Sequence, residues 1–293
     1  MPELPEVETI RRGLEPFVTG AVIARARVNR PDLRFPFPPG FARRLTGWRI
    51  EAVGRRAKYL LFSLSDGKIW LSHLGMTGSW LVEAGPDLDA GRNRPPSETP
   101  AHTHLVLDLV RPGRAPARLS YRDARRFGYM DLFSDAADCA FLDRLGPEPL
   151  GNAFGAPHLA SAFRARRGPV KSALLDQHVV AGIGNIYACE ALFRARVAPR
   201  RLTASLVTRS GNPTAALVRL AEAVRTVLAQ AIEAGGSTLR DFRAAGGEPG
   251  LFQHNFDVYD REGEACSRPG CAGRVRRIVQ SGRSSFYCAA CQR

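Results

Sequence analysis

Met1-Pro2-Glu3-Leu4-Pro5-Glu6-Val7-Glu8-Thr9 opens this 293-residue chain, and its reading sets both the first element and the first chemistry. Proline in a first turn and acids near the positive end of the helix dipole favour a helix start. Val7, Ile10, Leu14 and Phe17 follow at helical spacing with Arg11 and Arg12 opposite, so residues 5–17 are expected to form a short amphipathic helix. The stretch carries a second reading as well. Loss of Met1, which the small residue behind it favours, would leave Pro2 as a terminal secondary amine with the carboxylates of Glu3 and Glu6 close by. An α-amino group has an ordinary pKa of about 7.7–8.0, so a useful fraction is unprotonated near neutrality. Such an amine attacks an aldehyde or masked aldehyde carbon to give a Schiff base, and neighbouring carboxylates can serve the proton transfers.

Outward from this helix the pattern turns strand-like. Segments 21–29, 48–64, 68–74, 103–110 and 117–133 are rich in Val, Ile, Leu and aromatic residues and are separated by Gly, Pro or charged turns. A polar, Pro/Gly-rich loop is expected at 84–100. Residues 1–133 thus read as a β-sandwich led by one helix. From 134 to 236 the pattern is helical, at 138–145, 157–166, 170–177, 185–194 and 213–234, the last run opening on Asn212-Pro213 as cap and first-turn proline. Residues 237–293 are turn-rich and carry four of the six cysteines. The fold class expected is multidomain α+β.

Arg and Lys number 42 against 28 Asp and Glu, a formal net charge of +14, with Lys only at Lys58, Lys68 and Lys171. A surplus of this size points to a polyanionic partner, and the planar arginine fork suits phosphate. Genome composition would explain Arg in place of Lys, but not the excess of cations. No run of 18 or more apolar residues occurs, and no basic stretch with an apolar core opens the chain. Membrane and secretory readings therefore fail, and a cytoplasmic protein is expected.

Cys266-x4-Cys271, then sixteen residues, then Cys288-x2-Cys291 is a metal-ligand spacing. Two close thiolate pairs suit one tetrahedral Zn²⁺, and four protein ligands close the site, so a single structural zinc is expected. Residues 274–280 and 284–287 read as two short strands about Ser281-Gly282-Arg283, a zinc-ribbon hairpin. Two disulfides are the alternative, disfavoured because nothing suggests export. Cys139 and Cys189 read as buried small apolar residues.

With these pieces in place, the whole chain resembles the formamidopyrimidine-DNA glycosylases. The resemblance rests on six blocks in the family's order: Pro2 to Thr9, Arg55-Arg56-Ala57-Lys58-Tyr59-Leu60, His73-Leu74-Gly75-Met76-Thr77-Gly78, Arg125-Arg126-Phe127-Gly128, Gly182-Ile183-Gly184-Asn185-Ile186-Tyr187-Ala188, and the four-cysteine ribbon. It implies a bifunctional base-excision enzyme that removes oxidised purines and then cuts the strand by β- and δ-elimination. Pro2 would be the nucleophile at C1′, Glu3 the general acid/base, and Glu6 a residue that orders the site. Lys58 would donate a proton for β-elimination and Arg283 would assist δ-elimination, mainly as a phosphate clamp. The resemblance assigns Met76, Arg125 and Phe127 to filling the void left when the damaged base swings out. His102, Arg126, Arg166, Lys171 and Asn185 would contact DNA, with the glycines before Asn185 admitting a phosphate at a helix N-terminus. It further implies a helix–two-turn–helix element within 134–236, a mobile damaged-base loop at 237–254, a monomer, and duplex DNA with oxidised bases or abasic sites as partner, in a bacterial cytoplasm.

Taken alone, Met76 and Phe127 would more often be core residues, Lys58 would serve equally as a surface cation on an edge strand, and Gly182 to Asn185 would make an ordinary turn with Asn185 as cap. The chain departs from the family in Ala124, where proline is common, and in the x4 spacing of the first cysteine pair. Two rivals stand beside this reading: an endonuclease VIII-like glycosylase for oxidised pyrimidines, and a non-catalytic zinc-bearing nucleic-acid binder. Leu4 and Val7-Glu8-Thr9 disfavour the first, and Pro2, Glu3, Lys58 and Arg283 together disfavour the second.

Overall fold

The computed structural model describes residues 2–85, 88, 101–238 and 244–293. The loop expected at 84–100 falls mostly outside the described residues, as do 239–243 of the expected damaged-base loop. Two compact units are present, one formed by Met1–Asp143 with Ala234–Leu251 and the other by Arg144–Glu233 with Phe252–Arg293. The division thus falls at two units rather than the three segments expected. The ribbon joins the helices, and the stretch after the last long helix returns to the first unit.

In the first unit, helix α1 (Leu4–Val18) is followed by β1 (Val22–Val28), a single-turn helix α2 (Phe41–Leu45), β2 (Ile50–Arg56), β3 (Tyr59–Leu64), β4 (Ile69–His73), β5 (Ser79–Ala84), β6 (Thr103–Val110), β7 (Ala117–Arg122), β8 (Tyr129–Phe133) and helix α3 (Ala140–Asp143). The strands form two antiparallel four-stranded sheets, ordered β1-β6-β7-β5 and β2-β3-β4-β8. Strict alternation of buried and half-buried residues along β3 and β7 gives each sheet an inward face. Leu4, Val7, Ile10, Leu14 and Val18 of α1 are fully buried, at roughly 1.5–3 kcal/mol for each large side chain. Four of them join both sheets in one core around Phe62, Trp70 and Trp80.

Two segments expected as single runs are each two strands. The 48–64 run breaks at Ala57-Lys58, and 117–133 breaks at Asp123 to Gly128. Strand β5 and the five-residue α2 went unanticipated, because neither is long enough to set a period before a turn interrupts it.

The second unit contains α4 (Ala156–Arg164), α5 (Val170–Leu175), α6 (Asn185–Arg194) and α7 (Ala215–Glu233), then the hairpin β9 (Val275–Gln280) and β10 (Arg283–Cys288). Helix α6 is buried from Ile186 through Phe193, which makes it the central helix of this unit. Helix α7 begins at Ala215 rather than at Pro213, with the Thr214 hydroxyl receiving Leu217 N–H at 3.4 Å. Asn212-Pro213 is therefore not the cap the sequence suggested. Among the described residues, no helix is long and apolar enough to cross a membrane.

Candidate active site and DNA-contacting residues

Pro2 and Glu3 are buried at the amino end of α1. Glu3 is the residue before the first turn, and it forms a capping box with Glu6. The Glu3 N–H donates to Glu6 Oε2 at 2.8 Å, and Glu6 Oε1 accepts the Ser237 N–H at 2.8 Å. One buried carboxylate therefore closes the helix start and fixes the residue where the 237–254 stretch begins. Gly236 makes this approach possible: its φ is +79°, and an added Cβ would lie 3.0 Å from Glu6 Oε1. The contacts that start the helix thus also set Pro2 and Glu3 side by side at its amino end.

Lys58 sits on the two-residue turn between β2 and β3 and is only 9% exposed, so it is no surface cation on an edge strand. The turn is held from behind. Arg55 donates from Nη1 to the Ala57 carbonyl at 2.9 Å and from Nε to Glu8 Oε2 at 3.1 Å. Ala57 takes a left-handed φ of 52°. Facing this turn, His73 is pushed down to about 4, first by burial and then by the charges of Lys58 and Arg34. Its neutral ring packs against Tyr59 and Tyr129, and its Nδ1 accepts the Gly75 N–H at 3.1 Å.

Met76 and Phe127 are 37% and 42% exposed, not core residues. Each lies on a loop, Met76 between β4 and β5 and Phe127 between β7 and β8. Arg125 stacks its guanidinium over the Phe127 ring at 4.7 Å, a cation–π contact that presents both as one unit. Arg126 is exposed, has a left-handed φ of 57° and lies 3.7 Å from Asp32. His102 is exposed, also left-handed, and its carbonyl accepts the Asp123 N–H at 3.0 Å. Met76, His102, Arg125, Arg126 and Phe127 thus all stand on connected loops of the first unit.

In the second unit, Gly184 and not Asn185 is the residue preceding the first turn of α6. Asn185 is the first helical residue, and its Nδ2 donates to the Ser284 carbonyl at 2.9 Å. The glycine loop before it is braced by Gln177, which accepts from Gly182 N–H at 2.8 Å and donates to the Ile183 carbonyl at 2.9 Å. Lys171 corrects the expectation of a phosphate contact. It is 1% exposed, and its ammonium donates to the Ser284 carbonyl at 3.0 Å and to Ser285 Oγ at 2.6 Å. Burial leaves it to organise the hairpin rather than to meet solvent or a strand of DNA. Arg166 is partly exposed and paired with Asp176 at 2.7 Å. Burial opposes ionisation of Asp176, but the His178 N–H and Arg166 outweigh it and hold the carboxyl below its usual range.

Arg283 is exposed and is the first residue of β10, paired with Gln280, rather than part of the turn itself. The turn is Ser281-Gly282, both with positive φ of 48° and 73°, the primed geometry that matches strand twist. Behind it, the sulfurs of Cys266, Cys271, Cys288 and Cys291 all lie within 4.8 Å of one another. Cys266–Cys291 and Cys271–Cys288 are 3.8 and 3.7 Å apart. Four thiolates at about 2.3 Å from one Zn²⁺ would stand ~3.8 Å apart, whereas a disulfide requires about 2.05 Å. All six cysteines are free, so the disulfide alternative is excluded, and the donor set fits one metal ion. Cys139 and Cys189 are each 1% exposed, as buried apolar residues should be.

Two fully buried carboxylates escaped sequence reading. Asp123 opens the loop that carries Arg125 and Phe127 and meets Thr77 on the other loop. Glu190, on α6, accepts the N–H groups of Asp257, Val258 and Tyr259. It thereby shapes the chain entering the cysteine ribbon. Neither lies in a spacing pattern that would have marked it.

Comparison with known proteins places this geometry in a family. Residues 1–130 match the formamidopyrimidine-DNA glycosylase N-terminal domain, and residues 145–243 match the formamidopyrimidine-DNA glycosylase H2TH domain. A formamidopyrimidine-DNA glycosylase of Rhodopseudomonas palustris is 55% identical over 296 residues, covering 100% of both chains. Among solved structures, the MutM (Fpg) protein of Thermus thermophilus is 40% identical, with a TM-score of 0.80 over 99% of this chain and 98% of that one. A Lactococcus lactis Fpg variant in complex with Fapy-dG-containing DNA is 32% identical, with a TM-score of 0.83 over 100% of both chains. The helices, the paired sheets and the four-cysteine hairpin are therefore one inherited design: this chain belongs to the formamidopyrimidine-DNA glycosylase family.

Proposed function

We propose that this protein is a bifunctional DNA glycosylase and abasic-site lyase of base excision repair, acting on oxidised purines such as 8-oxoguanine and formamidopyrimidines. The observation that carries the reading is the buried Pro2-Glu3 start of α1, held by Glu6. With Met1 removed, the Pro2 nitrogen attacks C1′ of the everted nucleotide as the bond to the base breaks. Loss of the Pro2 proton and opening of the sugar give a Schiff base, with Glu3 exchanging protons at the sugar. A proton then leaves C2′ as the C3′–O bond breaks, and a second elimination breaks the C5′–O bond. Lys58 and Arg283 supply positive charge to the departing phosphates, Lys58 as proton donor and Arg283 as clamp. Met76, Arg125 and Phe127 fill the gap in the stack, Met and Phe as apolar wedges and Arg toward the orphaned base. His102, Arg126, Arg166 and Asn185 hold the strand. Cys266, Cys271, Cys288 and Cys291 would bind one structural Zn²⁺, which supplies no chemistry to the reaction and fixes the hairpin bearing Arg283. The protein is read as a monomer working in the bacterial cytoplasm.

Borohydride trapping on an 8-oxoguanine:C duplex tests this reading. A covalent adduct is expected on the peptide that begins at Pro2, and it should be greatly weakened in Pro2→Gly with duplex binding retained. Absence of an adduct, or an adduct on a lysine, would overturn the chemistry. Faster trapping on a thymine-glycol duplex would transfer the substrate to oxidised pyrimidines.

A further inference from the structure

The exposed side chains Met76, Arg125 and Phe127 come from two loops, and one buried carboxylate joins them. Asp123 Oδ1 accepts the Thr77 hydroxyl at 2.5 Å, while Oδ2 accepts the Gly128 N–H at 2.8 Å and the Tyr121 hydroxyl at 3.4 Å. Thr77 completes the connection: its Oγ1 accepts the Arg125 N–H at 3.1 Å. Burial, and then the Asp123 charge, hold the Tyr121 phenol well above its ordinary range, so it remains a donor. His104 Nε2 lies 2.8 Å from the Asp123 carbonyl, which accepts from it. The loops also meet without side chains between them. A Cβ on Gly75 would lie 2.2 Å from the Phe127 carbonyl carbon, and one on Gly128 would lie 2.8 Å from the His73 carbonyl oxygen. Met76 is thus fixed one residue from Thr77, and Arg125 and Phe127 two and four residues from Asp123.

We infer that Asp123 and Thr77 are positioning residues for base eversion. Through a Thr77 hydroxyl that donates to Asp123 and accepts from Arg125, they set the two loops in one register, so that the three tips enter the stack together. Pre-ordering of this kind removes the entropy cost of arranging three separate side chains at the moment of insertion. Tips on independently moving loops would have to meet that cost at each encounter. The inference rests on the proposed gap-filling role of Met76, Arg125 and Phe127.

Thr77→Val keeps the side-chain shape and removes the hydroxyl from both bonds. The full-length protein would be followed in stopped flow on an 8-oxoguanine duplex carrying 2-aminopurine beside the lesion, which reports eversion. Borohydride trapping on a single-stranded abasic oligonucleotide, which has no stack to fill, would be run in parallel. Thr77→Val is expected to slow eversion by about tenfold, the worth of one to two hydrogen bonds, with single-strand trapping at the wild-type rate. Thr77→Ser should restore the duplex rate. The inference is overturned if Thr77→Val everts at the wild-type rate while Phe127→Ala is slow. It is also overturned if both assays fall equally, the mark of general destabilisation, or if Thr77→Ser fails to restore the rate. Wild-type eversion by Phe127→Ala as well would instead remove the gap-filling reading on which it stands.

Discussion

Glu8, two residues beyond the capping glutamate, links α1 to the turn that carries Lys58. Its carboxylate meets Arg11 and Arg12 on its own helix and Arg55 on β2 at 2.9–3.1 Å, and Arg55 in turn holds the Ala57 carbonyl. Burial opposes its ionisation, but the bonds to Arg11 and Arg12 outweigh it and lower the carboxyl below its ordinary 4.5. A carboxyl lowered on folding stabilises the protein above its unfolded value, and that contribution disappears as pH falls through the lower folded value. Glu8→Gln should therefore cost about 1 kcal/mol at pH 7, a figure discounted for partly exposed pairs. Urea denaturation should show that gap closing as pH falls below the ordinary carboxyl range. A gap that persists unchanged at low pH would mean that packing, not charge, accounts for Glu8. Residues of this kind mark the limit of sequence reading. The acidic helix start at Glu3 and Glu6 and the cysteine pairs were legible because their partners are near in the chain. Asp123 meets Thr77 across 46 residues, Glu190 meets Asp257 across 67, and Lys171 meets Ser284 across 113. Only the folded chain brings such partners together, so Lys171 read as a cation for phosphate although its ammonium is consumed inside the protein.

At the scale of elements, the β9–β10 hairpin is held from two sides. The four cysteines lie at its base, where a Cβ on Gly273 would come within 2.7 Å of Cys288 Sγ. Near its turn, Lys171 and Asn185 share the Ser284 carbonyl, and Ser285 Oγ continues to Gln280 Oε1 at 2.7 Å. A six-residue two-stranded ribbon is marginal by itself, so both attachments are needed to fix Arg283. Two perturbations should therefore separate by position. Lys171→Met removes the donor to the Ser285 hydroxyl oxygen and leaves the Ser284 carbonyl to Asn185 alone, at a cost of about 1–3 kcal/mol. Hydrogen exchange should quicken around Ser284 and Ser285 while bound zinc stays at one per chain. Stripping the metal with a chelator should instead release the Cys288 end and lower Tm across the second unit. Zinc loss in Lys171→Met, or unchanged exchange near the turn, would contradict this division. The hairpin and the long α7 were visible in sequence because cysteine spacing and a sustained helical period are local signals. Strand β5 was not, since its six residues lie between the Met76 turn and a Pro/Gly-rich segment that mask its alternation.

Over the whole molecule, a charge of +14 carried almost entirely by arginine sets how binding should depend on salt. Each phosphate neutralised by a protein cation releases condensed counterions, and the logarithm of affinity falls with the logarithm of salt in proportion to the number of such contacts. Many of the 42 cations do not add to that number, because they are committed within the fold: Arg55 and Arg11 to Glu8, Arg118 to Asp108, Arg194 to Asp257. Arg126 is differently placed. Its side chain is 45% exposed, and its 3.7 Å pairing with the equally exposed Asp32 is a surface contact of the kind worth little in water. That pairing yields readily to a phosphate. Arg126→Ala retains a Cβ and therefore the same left-handed backbone cost as the parent residue, so the loop should keep its shape. The salt slope for duplex binding should become shallower by about 1. Phe127→Ala removes apolar surface without removing a cation, and should weaken binding at every salt concentration with the slope unchanged. Titrations of both variants at several salt concentrations distinguish charge from wedge, and an unaltered slope in Arg126→Ala would remove Arg126 from the phosphate contacts.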